Sequence, residues 1–158
     1  MRLTDILTES RIELHLTADG KDEVIDRLVD LVADGMREGD RASILQAVKA
    51  REQLMSTGVG NGVAIPHGKT NAVDSLIAAF GRCEEPVDYE ALDGRPVSLV
   101  FLLVGPEDAA GPHIKALSRI SRLLSYEEFR VRLSNAENAG QVMEAISEEE
   151  HQYFELKG

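Results

Sequence analysis

The chain has 158 residues, 43% hydrophobic and 28% charged, so it is long enough for one domain with an ordinary core. Its formal net charge of −11 would repel the phosphate backbone of nucleic acid, which argues against nucleic-acid binding. The acidity either speeds encounters with a basic protein partner or only keeps the protein soluble. A single cysteine, Cys83, excludes an internal disulfide and suits a reducing compartment.

No segment has the composition of a signal peptide or the length of a membrane span. Asp5 and Glu9 interrupt the N-terminal sequence, and the longest strongly apolar stretch, 97–104, is far shorter than the about 20 residues that a spanning helix needs. We therefore expect a soluble, cytoplasmic protein without membrane insertion.

The first third of the chain predicts a strand followed by two helices. A short strand is predicted at 12–16. Helical spacing of apolar residues then predicts helices over 21–38 and from about 41 to 54. Between these helices, Gly39 is a predicted C-cap and Asp40 a predicted N-cap.

The middle of the chain predicts a glycine-rich turn and then strands. The turn is expected at 57–62, and a short apolar run at 63–65 ends at Pro66. The clearest strands are 76–80 and 97–104, with a loop between them. The second strand is apolar on both faces, which is typical of a central strand buried between two layers.

The last third predicts helices. Gly111 and Pro112 open one of them, where the missing N–H of proline is harmless. Its expected inward stripe is Ile114, Leu117, Ile120, Ser121 and Leu124. Shorter helical patterns follow around 126–133 and 141–146. Helices before, between and after strands predict a single-domain layered α/β sandwich over 1–150 with a solvated C-terminal tail at 151–158.

The segment 56–70, STGVGNGVAIPHGKT, carries the motifs that suggest chemistry. Its crowded glycines in 58–62 resemble a dinucleotide-binding turn, but a helix-like pattern precedes them and Pro66 follows, so this interpretation is rejected. The tripeptide 68–70 resembles the end of a P-loop. Val63 stands where the P-loop requires glycine, so this second interpretation is a near miss.

His67 lies between Pro66 and Gly68, which keep it out of a regular helix or a central strand. This setting exposes the imidazole on a stiff backbone. A neutral imidazole is a competent nucleophile near pH 7, and a backbone carbonyl can fix its tautomer. The alternative is an ordinary surface histidine in a turn, and the residues alone leave both open.

The run TGVGNGVAIPHGK resembles the active-site segment of the IIA proteins of the bacterial phosphotransferase system, fructose/mannitol type. REQLMSTG, from Arg51, and HIKALSRISRLL, from His113, match the family's segments upstream and downstream. The resemblance implies a mixed sheet flanked by helices. It also implies that His67 receives a phosphoryl group from the phosphohistidine of an HPr-type carrier, on Nε2, with Nδ1 held by the backbone.

By matching positions, the resemblance makes Arg51 and His113 phosphate-binding residues. The guanidinium of Arg51 has five N–H donors that could clamp a phosphoryl group, although a solvated charge at a helix end is the alternative. His113 is placed in the first turn of its helix, where an imidazole tends to stay neutral and can donate to an anion. Its alternative is a partly buried histidine packed on Leu117.

Within the family, the chain is most similar to the nitrogen-regulatory IIA branch. Asn61 stands six residues before His67, where several sugar-transport members carry an acidic residue, and no IIB-like or membrane IIC-like sequence is attached. A regulated target protein is therefore the expected partner beside the HPr-type donor, docking where the apolar run 63–65 surrounds His67. Sugar uptake through a IIB partner and a non-catalytic binding module with the same fold stay open.

No metal site or cofactor is predicted. The four histidines and the single cysteine are scattered without ligand spacing. His15 and His151 have no context that suggests chemistry. Lys69 lies two residues after His67. The sequence is equally consistent with a lysine beside the phosphoryl group and with a solvated lysine.

Overall fold

The computed structural model describes residues 1–155, and residues 156–158 lie outside the described part. The strands are β1 Ile12–Leu16, β2 Gly58–Gly60, β3 Val63–Ala64, β4 His67–Lys69, β5 Ile77–Val87 and β6 Val97–Gly105. The helices are α1 Leu3–Ile6, α2 Lys21–Val32, α3 Glu38–Leu54, α4 Ala110–Leu124, α5 Glu127–Asn135 and α6 Ala139–Glu150, with a 3-10 turn at Glu9–Arg11 and a π-helical turn at His151–Glu155. Within residues 1–155, no helix is long and apolar enough to cross a membrane.

The strands form one mixed sheet in the order β1-β5-β6-β3-β2, with β4 also paired to β6. β5 runs antiparallel to β6, whereas β1 runs parallel to β5, and β3 and β4 run parallel to β6. Odd-numbered residues in 99–103 face one core and even-numbered residues in 100–104 face the other. This confirms β6 as the central strand that its two apolar faces predicted.

Helices cover both faces of the sheet. One core packs α1, α4, α5 and α6 against the sheet, and the other packs α2 and α3 against the opposite face. The predicted layered α/β sandwich is confirmed, because each sheet face is apolar and has to be buried by a helical layer.

His67 begins β4, which pairs only with β6 within residues 1–155, so it lies in an edge strand and in neither a central strand nor a turn. β3 and β4 follow one another along β6, with Val63 opposite Leu99 and His67 opposite Leu103. Pro66 interrupts the two strands but still accepts a hydrogen bond from the N–H of Leu103 through its carbonyl, at 3.1 Å. The N–H and C=O groups along this edge of β6 can hydrogen-bond the whole segment from β3 to β4. The chain therefore stays extended across the proline.

The boundary between α2 and α3 also differs from the prediction. α2 ends at Val32, and Gly35 turns the chain with a φ of +82°, a left-handed conformation that favours glycine. α3 then begins at Glu38, so Gly39 and Asp40 lie inside its first turn and cap neither helix.

Two predicted loops are partly strand. Gly58–Gly60 pairs antiparallel with β3 through a tight turn at Asn61 and Gly62, whose φ values are +59° and +77°. An Asn-Gly pair is the sequence that such a hairpin turn requires. β5 begins at Ile77 and extends to Val87, so the loop before β6 is shorter than predicted.

The predicted inward stripe of α4 is correct for Leu117, Ile120 and Leu124 and wrong for Ile114 and Ser121, which are exposed. Ile114 is 63% exposed, and the buried residues of the helix are His113, Ala116, Ile120, Leu123 and Leu124. The difference lies in the first turn, where the polar His113, rather than the apolar Ile114, points inward. The sequence pattern could not show this, because apolarity was the only criterion for the inward face.

The described part of the predicted tail is packed rather than solvated. The helical backbone continues through Glu155, and Tyr153 and Phe154 are half-buried. The Tyr153 ring stacks on Tyr126 with centroids 4.2 Å apart, and the Arg119 guanidinium lies 4.2 Å from the centroid of the Phe154 ring. These aromatic contacts keep the segment on the protein. Residues 156–158 of that predicted tail lie outside the described residues.

Candidate active site

The three residues singled out by sequence line one open pocket of about 340 Å³. The pocket lies where the edge strand β4 meets the C-terminal end of α3 and the first turn of α4. Its lining residues are Ala47, Arg51, His67, Gly68, Lys69, His113, Ile114 and Leu117. Residues far apart in sequence therefore meet at one point of the sheet edge.

Two glycines make this meeting possible. A Cβ on Gly68 would lie 2.9 Å from the backbone N of Val48, so only glycine lets the backbone of α3 rest directly on β4. A Cβ on Gly105 would lie 3.0 Å from Nδ1 of His113. The first glycine brings α3 close to the strand of His67, and the second leaves room for the imidazole of α4.

The backbone fixes the ring of His67. Its Nδ1–H donates to the carbonyl of Ile65 at 2.9 Å, which leaves the lone pair on Nε2. Burial lowers the pKa of His67 below its ordinary value, and the positive charges of Arg51 and Lys69 lower it further, against the opposing effects of the Ile65 carbonyl and Glu52. The ring is neutral at neutral pH, which is the nucleophilic form.

His113 is buried without a hydrogen-bond partner. Its side chain is 1% exposed, and neither ring nitrogen has a partner within residues 1–155. Its ring centroid lies 5.7 Å from that of His67. Burial lowers the pKa of His113 to about 4, with smaller contributions from the charges of His67 and Lys69. Since a buried polar group without a partner is costly, this pair of nitrogens marks a place for a polar ligand.

Arg51 lies half-buried at the pocket's other side, on the last turn of α3. Its Nη1 donates to the carbonyl of Met55 at 2.9 Å. That bond uses one of the five donors of the guanidinium, so the others can serve an anion in the pocket. Together with the exposed Lys69, it makes the pocket locally positive on an acidic protein.

The predicted docking surface at 63–65 is wrong, because this run is buried in the two cores. Two exposed large hydrophobic residues adjoin the pocket: Ile114 lines it, and the carbonyl of Met55 accepts from Arg51, which lines it as well. We name these two residues the apolar rim. Asn61 lies in the hairpin turn and does not line the pocket. His15 pairs with Glu84 and also lies outside it.

Sequence reasoning missed Glu52. Its carboxylate is buried and accepts hydrogen bonds from both the backbone N–H and the hydroxyl of Thr57. A charged residue next to Arg51 on a polar helix carries no pattern that separates it from its solvated neighbours. The burial of its side chain is visible only in the folded chain.

Comparison with known proteins identifies the family. The family model for the phosphoenolpyruvate-dependent sugar phosphotransferase system, EIIA 2, matches residues 5–149. The chain belongs to this family, which confirms the resemblance of the PHG segment. Proteins of this family function in phosphoryl transfer as phosphocarriers.

Individual relatives fall into a regulatory and a sugar-specific group. The chain is 40% identical to the nitrogen regulatory protein of Pseudomonas aeruginosa, over 88% of this chain and 90% of that one. It is also 40% identical to the fructose-specific EIIABC component of Bacillus subtilis, over 94% of this chain, but it spans only 23% of that protein's length.

A solved structure supports the same fold. The nitrogen regulatory protein IIA-Ntr from Neisseria meningitidis superposes with a TM-score of 0.83 at 35% identity, covering 91% of this chain and 98% of that one.

The buried setting of His113 predicts its titration. In an NMR pH titration, we expect the ring of His113 to stay neutral at pH 7 and to protonate only near pH 4. Its pKa is lower in the folded chain than the about 6.5 of the unfolded chain, so the unfolded state binds the proton first. This contribution to the free energy of unfolding is complete above about pH 6.5 and is lost as the pH falls towards 4.

The variant His113→Leu provides the control for this prediction. Without the titrating ring, the free energy of unfolding should fall less steeply over the same pH interval in chemical denaturation. A ring pKa at or above 6.5 in the wild-type protein would contradict the prediction.

Proposed function

We propose that this protein accepts a phosphoryl group on Nε2 of His67 from the phosphohistidine of an HPr-type carrier and acts as a nitrogen-regulatory IIA protein. One observation carries the chemical part: the ring of His67 is held through Nδ1 by Ile65, beside the buried and unpartnered His113. The proposal implies a cytoplasmic protein, because it exchanges phosphoryl groups with soluble carriers. It needs neither a metal nor a cofactor.

The reaction is an in-line displacement at phosphorus. The Nε2 lone pair of His67 forms a bond to phosphorus, while the bond between phosphorus and the donor nitrogen breaks and leaves its electron pair on the donor ring. The His67 ring then becomes more positive, and the Ile65 carbonyl stabilises it through the proton that stays on Nδ1. Positioning and charge stabilisation supply the catalysis.

The rest of the pocket stabilises the negative oxygens of the phosphoryl group. Arg51 approaches from α3 with charged N–H donors, and His113 approaches from the first turn of α4 with a neutral ring that can donate one hydrogen bond. The positive end of the helix dipole of α4 acts in the same direction. Two helical layers thus direct positive charge at one strand edge.

Phosphate uptake tests the role of His67. The wild-type protein, incubated with a phosphorylated HPr-type donor, should gain one phosphoryl group, detected by intact mass spectrometry at neutral or alkaline pH because phosphohistidine is labile in acid. His67→Ala should gain none. A full equivalent of phosphate on His67→Ala would overturn the assignment.

Substitution of Arg51 tests the charge stabilisation. We expect Arg51→Ala to fold normally and to slow phosphoryl transfer by about 10²–10³-fold, as the loss of one preorganised donor does in other enzymes. Arg51→Lys should recover part of the rate, because lysine keeps the charge without the planar fork. The rate of phosphoryl transfer is measured by rapid quench. A wild-type rate in Arg51→Ala would show that Arg51 is only a solvated charge at a helix end.

The regulatory part rests on the nitrogen regulatory relatives and on the apolar rim. A phosphoryl group on His67 adds about −1.5 to −2 charges to the pocket beside this rim, which favours release of an acidic partner and retention of a basic one. A second candidate is sugar uptake through a IIB protein. The 37% identity to the fructose-specific EIIA component of Haloferax volcanii, over 94% of this chain and 98% of that one, supports this alternative.

Capture of partners from the native cytosol separates the two candidates. Regulation predicts a protein that distinguishes phosphorylated from unphosphorylated chain and is no sugar-transport component. Met55→Ser, in the apolar rim, should weaken its capture, whereas Val131→Ser, equally apolar and 49% exposed on α5, should not. The regulatory function fails if the only partner is a IIB protein that drains phosphate from His67 and supports sugar uptake.

A further inference from the structure

The buried carboxylate of Glu52 anchors the segment that follows α3. Its Oε1 accepts from the backbone N–H of Thr57 at 3.0 Å, and its Oε2 accepts from the hydroxyl of the same residue at 2.5 Å. The carboxylate is 5% exposed and lies 3.8 Å from Nζ of Lys21. Hydrogen bonds to an ionised carboxylate are stronger than neutral ones, so the position of Thr57 is firmly set.

The same threonine is linked by backbone hydrogen bonds to the ring of His67. The carbonyl of Thr57 accepts from the N–H of Ile65 at 2.9 Å. The carbonyl of Ile65 in turn accepts from Nδ1–H of His67 at 2.9 Å. An uninterrupted path of hydrogen bonds therefore runs from the buried carboxylate through Thr57 and Ile65 to the imidazole, and it ends on Nδ1, the nitrogen that decides the tautomer.

A second path runs from Thr57 to Arg51. Met55 lies between α3 and Thr57 in an extended conformation, and its carbonyl holds Nη1 of Arg51 at 2.9 Å. Because both ends of this short segment are fixed, by the helix on one side and by Glu52 on the other, the carbonyl of Met55 has little freedom. The guanidinium is thereby held at the mouth of the pocket.

We infer that Glu52 is the positioning residue of this site, which sets the tautomer of His67 and the place of Arg51 through its hydrogen bonds to Thr57. The inference rests on the proposed function for its kinetic consequence only. Glu52 touches neither the reacting nitrogen nor the phosphoryl group. It acts on both through the chain segment 55–65, which no other buried charge in residues 1–155 holds.

Glu52→Gln tests the inference, with Glu90→Gln as its matched control. Both carboxylates lie within 4 Å of Nζ of Lys21, but Glu90 is exposed, whereas Glu52 is buried and accepts the hydrogen bonds of Thr57. The glutamine keeps the shape of Glu52, loses the charge and replaces one acceptor oxygen by a donor. We expect the control to behave as the wild type in every measurement.

The first measurement is made without any donor. The ¹⁵N shifts of the His67 ring should show the Nδ1–H tautomer in the wild type and in Glu90→Gln, and a measurable fraction of the other tautomer in Glu52→Gln. The second measurement is phosphoryl uptake. We expect kcat to fall by about 10-fold to 100-fold while KM for the donor stays within about twofold, because misplacement affects the transfer step and not docking.

Wild-type tautomers together with a wild-type kcat in folded Glu52→Gln would overturn the inference. A fall in kcat that only follows the folded fraction measured by thermal melting would overturn it as well. Should Glu52→Gln fail to fold, Thr57→Val and Thr57→Ser decide: the first should shift the tautomer and lower kcat, and the second, which keeps the hydroxyl, should restore both. If the wild-type protein takes up no phosphate, the proposed function fails, and the tautomer measurement still decides the role of Glu52.

Discussion

The pairing of β4 with the end of β6 is the constraint on which the site depends. Opposite residues of neighbouring strands point to the same side of a sheet, so the register of His67 with Leu103 directs the imidazole to the face covered by α4. The next residue, Gly68, faces the other side, where α3 rests on it. A register shift of one residue would exchange these two faces and separate His67 from His113.

Much of the fold could be predicted because hydrophobic burial leaves a clear periodic signal. β6 was found from its two apolar faces, and α3 from its apolar spacing. The Asn61-Gly62 pair is a known hairpin-turn signal, but Gly58 and Gly60 before it give β2 no apolar alternation from which a strand could be predicted. On α4, hydrophobic spacing predicted the inward side chains of Leu117, Ile120 and Leu124 but not the first turn, where His113 is buried and Ile114 is exposed.

The site, like the fold, was predictable from the sequence only in part. His67, Arg51 and His113 were identified by resemblance to a family motif, and the structure brings all three to one pocket. Without that resemblance, the sequence did not decide whether each of these residues is functional or structural. The reason is that their chemistry depends on burial, which the local sequence does not show. Glu52 had no signal at all. Its role depends on a contact with Thr57 across a helix end, and on hydrogen bonds between segments that only folding brings together.

The pocket's charge is opposed to that of the protein. A net charge of −11 repels an anionic group at long range, yet Arg51, Lys69 and the first turn of α4 make the pocket around His67 locally positive. Arg51 also contacts the carbonyl of Met55, an exposed residue of the apolar rim. One donor of this guanidinium holds that carbonyl and the others can serve an anion, so Arg51 links the pocket of His67 to the apolar rim. In the proposed regulatory function, Arg51 is therefore the contact through which phosphorylation of His67 would reach the apolar rim.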